Sequence, residues 1–343
     1  MQIFHHYDKP VEVHGLPYFE KDGELRRLPP EVAAGMNEWF AKSPLPRRVP
    51  GARLCFRTDA EEIKFTVTLE ALNPDIGVSI FSCQSGYVYF GRGEASEYAG
   101  HFFPNGYGSD KLTFSGTFKN PHGMIDVTLW LPRNEVTKDA IVEIPDGAKI
   151  EGPSPYTYPH HVLFYGSSIT EGGCCSKVPN YYNCMACRLL DVDFYNYGFS
   201  GSAKAEPAIG EFLCGVEDVS VFVMDYDHNA PDPAYLRDTH EPFFKRYRAA
   251  HPNTPVIFMS HPELGCWSEQ DSDERRAIIE QTYKNALAAG DKNVYYINGA
   301  DFFTGQGVRP ELCTNDKCHP NDLGHYCMMK SIYPLLERLV KAK

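Results

Sequence analysis

Two stretches far apart in the chain hold residue types that together could do nucleophilic chemistry. "HHVLFYGSSITEGGCC", residues 160–175, sets Gly166, Ser167 and Ser168 directly after an apolar run. A glycine tolerates a sharp turn, and a serine on such a turn projects its hydroxyl above the end of a strand. That hydroxyl is a weak nucleophile unless a base lies within hydrogen-bond reach and an acid orients the base. "CTNDKCHPNDLGH", residues 313–325, offers such a pair in Asp316 and His319. Three residues apart in one loop, the carboxylate can bond Nδ1 of the imidazole and leave Nε2 to face Ser168. The chemistry this suits is attack of a serine oxygen on a carbonyl carbon.

Positioning such groups requires particular elements, and the hydrophobic period changes along the chain. Between residues 50 and 150 apolar and polar residues alternate: Ile63, Phe65, Val67 and Leu69 share one face, as do Ile125, Val127, Leu129 and Leu131. With "RLCFRTD", "VSIFSC", "GYVYFG", "KLTFSG" and "AIVEI" between turn residues, the pattern predicts an antiparallel β-sandwich, jelly-roll-like, over residues 1–150. One helix is expected early, at "PPEVAAGMNEWFAKS", residues 29–43. A Pro- and Gly-rich connector follows, with residues 151–159 as the linker.

From residue 160 to 343 short apolar runs alternate with amphipathic stretches. "VLFYG", "DFYNYG", "SVFVMDYD", "PVIFMS" and "VYYIN" read as strands buried on both faces. "YYNCMACRLL", "PAYLRDTHEPFFKRYRAAH", "DERRAIIEQTYKNALAAG" and "DLGHYCMMKSIYPLLERLVKAK" read as helices. This is a three-layer α/β/α arrangement of flavodoxin-like type around a parallel sheet. Ligands of such sheets bind at the carboxyl ends of the strands, where the residues above fall.

The carboxy-terminal half resembles the SGNH (GDSL-like) hydrolase superfamily, whose members carry a nucleophile block after the first strand and a D-x-x-H block before the last helix. "YGSSITEG" and "DKCHPNDLGH" match those blocks in order. The resemblance implies Ser168 as nucleophile, His319 as general base and Asp316 as its orienting acid. It also implies an oxyanion hole built from the N–H of Ser168, the N–H of Gly201 in "NYGFSGS" and the amide of Asn229 in "MDYDHNAP". The sandwich ahead of it is similar to the amino-terminal domain of some SGNH-type esterases that act on acylated carbohydrates. Two positions depart from the pattern. Ser167 stands where an aspartate is usual, and Asn229 lacks the flanking glycine and aspartate of the third block.

Other residues at the same edge carry open readings. His261 and Trp267 follow the fourth strand and line the site or contact substrate, with a sugar ring as one partner for the indole. His228 is a further donor beside Asn229. Asn229 also reads as a turn cap before Pro231, and Gly201 as a turn glycine. "CMAC", residues 184–187, has C-x-x-C spacing but lies in an apolar helical pattern, so core thiols are expected and no metal.

Composition narrows the partners. A net charge of -12 over 343 residues, with Lys and Arg scattered, excludes a phosphate-backbone ligand. No stretch approaches the ~18 apolar residues of a membrane span. The amino terminus lacks a basic region and an apolar core of a leader, and 11 cysteines without a framework point to a reducing, cytoplasmic compartment. The expectation is a serine esterase for small, acetyl-type acyl groups on carbohydrates that requires no metal or organic cofactor. A lipid-directed esterase or thioesterase is the competing enzyme, and a carbohydrate-binding protein with a vestigial hydrolase domain the non-enzymatic reading. Nothing in the sequence sets the oligomeric state.

Overall fold

Continuous apolar strands need cover on both faces, and five of them form one parallel sheet in the carboxy-terminal half. In this computed structural model, which describes residues 1–72, 77–104 and 111–343, the sheet comprises Val192–Gly198, Tyr158–Gly166, Val219–Asp225, Val256–Met259 and Val294–Ile297, in that spatial order. In chain order this is 2-1-3-4-5, the flavodoxin-like arrangement. The expected helices are present at Tyr182–Leu190, Pro233–Ala250, Glu269–Ala288 and Asp322–Lys341. The third begins four residues earlier than its apolar pattern suggests, because Ser268 accepts the N–H of Asp271 and caps it. A further helix, Pro207–Cys214, was not expected from the sequence.

Two antiparallel sheets precede this domain. One orders Gln2–His5, Thr137–Ile144, Glu62–Leu69 and Thr113–Lys119; the other runs Ile150–Glu151, Arg53–Thr58, Ile125–Trp130, Gly86–Phe90 and Glu97–Phe102, with Glu12–His14 paired to Arg53–Thr58. Ile63, Phe65, Val67 and Leu69 of the first meet Leu54, Phe56, Val127 and Leu129 of the second in one core. That is the sandwich the alternation predicts.

Two local expectations fail. "VSIFSC" is not a strand: Ile80–Gln84 forms a short helix that buries Ser82, Cys83 and Gln84. A six-residue apolar run fits strand or helix equally, and here tertiary burial chose. Residues 29–43 form two helices, Pro30–Ala34 and Glu38–Lys42, because Asn37 accepts the N–H of Phe40 and starts the second.

The sandwich and the parallel sheet share their cores. Tyr87, Tyr89 and Trp130 turn away from the sandwich and join Phe164, Tyr181 and Phe194 in a common cluster, which explains why Gly86–Phe90 is buried at every position. On the opposite face Leu28, Ala33, Met36, Phe40 and Leu45 pack with Phe199, Ala203 and Ile209. The amino-terminal residues are therefore fixed against the strand ends that carry Ser168 and Gly201.

Candidate active site

Ser168 opens a four-residue helix, Ser168–Glu171, directly after the first parallel strand. Ser167 caps that helix, its Oγ accepting the N–H of Ile169 at 3.2 Å. The hydroxyl thus supplies one of the hydrogen bonds an aspartate would make here. The helix lies so close to the sheet edge that a Cβ at Gly166 would stand 2.0 Å from Thr170 Oγ1, and one at Gly198 2.1 Å from the backbone nitrogen of Glu171. The two glycines are required by close approach. Beneath the helix the side-chain amides of Asn183 and Asn196 donate to the Thr170 carbonyl at 2.8 and 2.9 Å. Thr170 and Tyr182 donate in turn to buried Asp225, whose carboxyl burial pushes up to about 6.

Ser168 Oγ lies 2.8 Å from His319 Nε2. His319 Nδ1 lies 2.7 Å from Asp316 Oδ2, and the His319 backbone N–H donates to Asp316 Oδ1 at 2.8 Å. Both carboxylate oxygens therefore grip one residue, which sets ring orientation and tautomer together. The N–H of Cys318 adds a third bond at 2.9 Å. Partial burial acts to raise the Asp316 pKa, but the His319 N–H and imidazole outweigh it and hold the carboxyl down to about 2. It stays an anion behind the ring.

Gly201 sits in the turn after the second strand with φ of 65°, a left-handed conformation that suits glycine. The Asn229 amide oxygen accepts the Ala203 N–H at 3.2 Å. That contact ties the third strand's loop to the Gly201 turn and assigns the other end of the amide as the NH2. Expected as separate blocks, the loops of Gly201 and Asn229 are joined by this hydrogen bond.

Glu171, at the far end of the helix that Ser168 opens, was not foreseen. Its Oε2 accepts the Ser200 backbone N–H at 2.8 Å and also binds the Ser200 hydroxyl. It is fully buried, and two equally buried arginines of the amino-terminal half flank it: Arg27 at 3.6 Å and Arg133 at 3.5 Å. Burial works to raise its pKa, and Arg133 and Arg27 together hold it below the usual carboxylate range. Arg27 also donates to the carbonyls of Asn196 and Gly198 at the end of the second strand. Nothing local marks these residues in the sequence.

The remaining candidates stand around the histidine. His261 is buried with Nδ1 2.6 Å from Asp227 Oδ2, a second His–Asp pair with no recorded bond to Ser168. Trp267 packs edge to face on His261 and has the Arg275 guanidinium over its ring at 4.3 Å, so that face is not open to a sugar. His228 stacks obliquely on Trp267 at 4.5 Å and lies 6.3 Å from the His319 ring. Trp39, unforeseen from sequence, is 60% exposed and is the nearest heavy-atom neighbour of the space above Gly201. Cys184 and Cys187 are fully buried core thiols. Nearby, Gly77, Val78 and Ser79 of the amino-terminal half line a cavity of about 550 Å³ together with Cys174, Asn315 and Asp322.

A family model of GDSL-like lipases and acylhydrolases matches residues 159–337. The chain belongs to this family. Its members are ester hydrolases, and the GDSL-like domain here is preceded by its sandwich as in solved structures of similar length. A protein of Bacteroides ovatus described as a GDSL-like lipase shares 23% identity over 99% of this chain and 98% of its own, with a TM-score of 0.84. A salicylyl-acyltransferase from a tetracycline biosynthetic pathway shares 18% over 98% and 97%, TM-score 0.79. An acetyl xylan esterase from the rumen bacterium Butyrivibrio proteoclasticus shares 11% over 99% and 100%, TM-score 0.59. No curated protein matches the chain. Among the described residues no helix is long and apolar enough to cross a membrane.

Proposed function

We propose that this GDSL-like protein is a serine esterase that removes small acyl groups, acetyl foremost, from carbohydrate hydroxyls. The observation that carries the reading is the chain of two short contacts, 2.8 Å from Ser168 Oγ to His319 Nε2 and 2.7 Å from His319 Nδ1 to Asp316 Oδ2. Ser168 Oγ attacks the ester carbonyl carbon while its proton passes to Nε2, and Asp316 stabilises the imidazolium that forms. The N–H groups of Ser168 and Gly201 and the Asn229 amide receive the oxyanion. His319 then returns the proton to the leaving alcohol, and a water deprotonated by the same nitrogen releases the acid. The cycle balances with ester and water as its only reactants.

Acetyl and sugar specificity draw support from the acetyl xylan esterase among the structural neighbours and from exposed Trp39 beside the Gly201 turn. The division of the chain at residues 151–159 and the cytoplasmic setting of its 11 thiols belong to the same reading. Acetate release from a panel of acetylated oligosaccharides, with Ser168→Ala as control, tests it. Release by wild type and not by the variant is expected. Faster turnover of long-chain p-nitrophenyl esters than of the acetate would replace it with a lipid-directed esterase. Acyl transfer to an added alcohol in preference to water would replace it with an acyltransferase. No turnover of any ester would leave a carbohydrate-binding protein.

A further inference from the structure

Three soft metal ligands meet beside the histidine on three separate loops. A ring nitrogen of His228, the Sγ of Cys266 and the Sγ of Cys318 all lie within 4.8 Å of one another, with His228 Nε2 3.2 Å from Cys318 Sγ. Zn2+ bound to thiolate and imidazole in a tetrahedron holds such atoms about 3.6–3.8 Å apart. The His228–Cys318 edge therefore needs to open by a few tenths of an ångström, while Cys266 already lies within 4.8 Å of both. The loop holding Cys266 is exposed at Gly265, Cys266 and Ser268, so it has room to adjust. A second group, Cys174 with Asp316 and His319, also lies within 4.8 Å, but there the carboxylate and imidazole are taken up in the chain of contacts that runs to Ser168.

We propose that His228, Cys266 and Cys318 form a binding site for a thiophilic divalent cation of the Zn2+ class, and that filling it shuts the ester site. Each ligand is the immediate neighbour in sequence of a residue at that site: Asn229, Trp267 and His319. The Cys318 N–H holds Asp316, so drawing the Cys318 side chain to a metal displaces the His319 loop. A metal held by these three residues would sit beside both rings, since that of His228 lies 4.5 Å from Trp267 and 6.3 Å from His319. On binding, each thiol gives its proton to bulk water and the imidazole binds neutral, so the +2 charge is balanced by two thiolates. The shut-off therefore comes from geometry.

The binding part stands by itself, whereas the shut-off rests on the esterase reading. Reduced, chelator-stripped full-length protein is titrated with Co2+, then with Zn2+. One Co2+ per chain with a thiolate-to-cobalt charge-transfer band is expected, displaced by Zn2+ and lost in both Cys266→Ser and Cys318→Ser. Hydrolysis of p-nitrophenyl acetate by wild type is lost as Zn2+ fills the site and returns with chelator, while Cys266→Ser keeps its activity throughout. No charge-transfer band, or a band that survives Cys266→Ser, overturns the site. Hydrolysis indifferent to a filled site overturns the shut-off alone. A protein that never hydrolyses the ester refutes the esterase reading and the shut-off together, and the cobalt titration still decides the site.

Discussion

The carboxylate of Glu171 accepts the backbone N–H of Ser200 at 2.8 Å. Through that contact the helix that begins with Ser168 is tied to the turn that holds Gly201. Glu171→Gln keeps an acceptor there but removes the charge, leaving Arg27 and Arg133 buried without their counter-ion. Breaking a buried ion pair this way costs about 3–5 kcal/mol. A lower thermal midpoint is expected, with kcat on p-nitrophenyl acetate down roughly 10-fold or more as the oxyanion turn loosens. Should the variant fail to fold, Ser200→Ala removes the hydroxyl's contacts to Glu171 and Arg133 but keeps the backbone N–H bond, and should still lower kcat more than it changes KM. Unchanged kcat in both would show that Glu171 serves stability alone.

In the proposed mechanism the Ser168 hydroxyl and the Asn229 amide act at different points of the same step. Ser168→Ala should lower kcat by ~10⁴-fold or more. Asn229→Ala should lower it ~10²–10³-fold, as expected of one lost oxyanion donor. Because Asn229 also holds the Ala203 N–H, Asn229→Asp is the discriminating variant. It keeps that acceptor but loses both donors, so activity should stay low while the thermal midpoint recovers. Full activity in Asn229→Asp would remove the amide from the mechanism.

Ser167 tests the departure from the family pattern. Its hydroxyl accepts the Ile169 N–H at a helix start, so Ser167→Ala should cost about 1 kcal/mol in stability. Ser167→Asp offers a carboxylate oxygen to the same N–H and should retain activity near the wild-type level. A fall in kcat with Asp as large as with Ala would show that this turn has been rebuilt around the smaller group.

Two buried histidines, His240 and His325, set the acid limit. Burial pushes each down to about 4. His325 accepts the Tyr182 N–H through Nδ1 and contacts the Gly173 carbonyl through Nε2, so the fold needs it neutral. Below the ordinary value of ~6.5 the unfolded chain takes protons that the folded chain refuses. Their contribution is complete above that pH and is lost as pH falls towards 4, by up to ~3 kcal/mol each. Asp225, raised to about 6, opposes part of this loss because the folded chain keeps a proton there that the unfolded chain releases. Thermal midpoints should still fall between pH 7 and pH 4.5, and His325→Gln should make that fall shallower. An equal slope in the variant would remove His325 from the account.

The sequence by itself determined much of what depends on short spacing, though not the break that Asn37 makes in residues 29–43. The period of two in residues 50–150 and the double-sided apolar runs after 160 fix which backbone pattern can bury its side chains. Asp316 and His319 stand three residues apart, so one loop suffices to join them. The tertiary structure decided what depends on distant chain segments. Residues 80–84 became a helix because burial overrode an ambiguous apolar run. Arg27 and Arg133 are ordinary charged residues in sequence, and they matter only because the amino-terminal half docks where Glu171 is already desolvated. The meeting of His228, Cys266 and Cys318 has no spacing signature either, since three strands must end side by side before their loops converge. Local geometry follows from the order of residues, whereas a buried charge or a shared ligand site depends on which surfaces the whole fold removes from water.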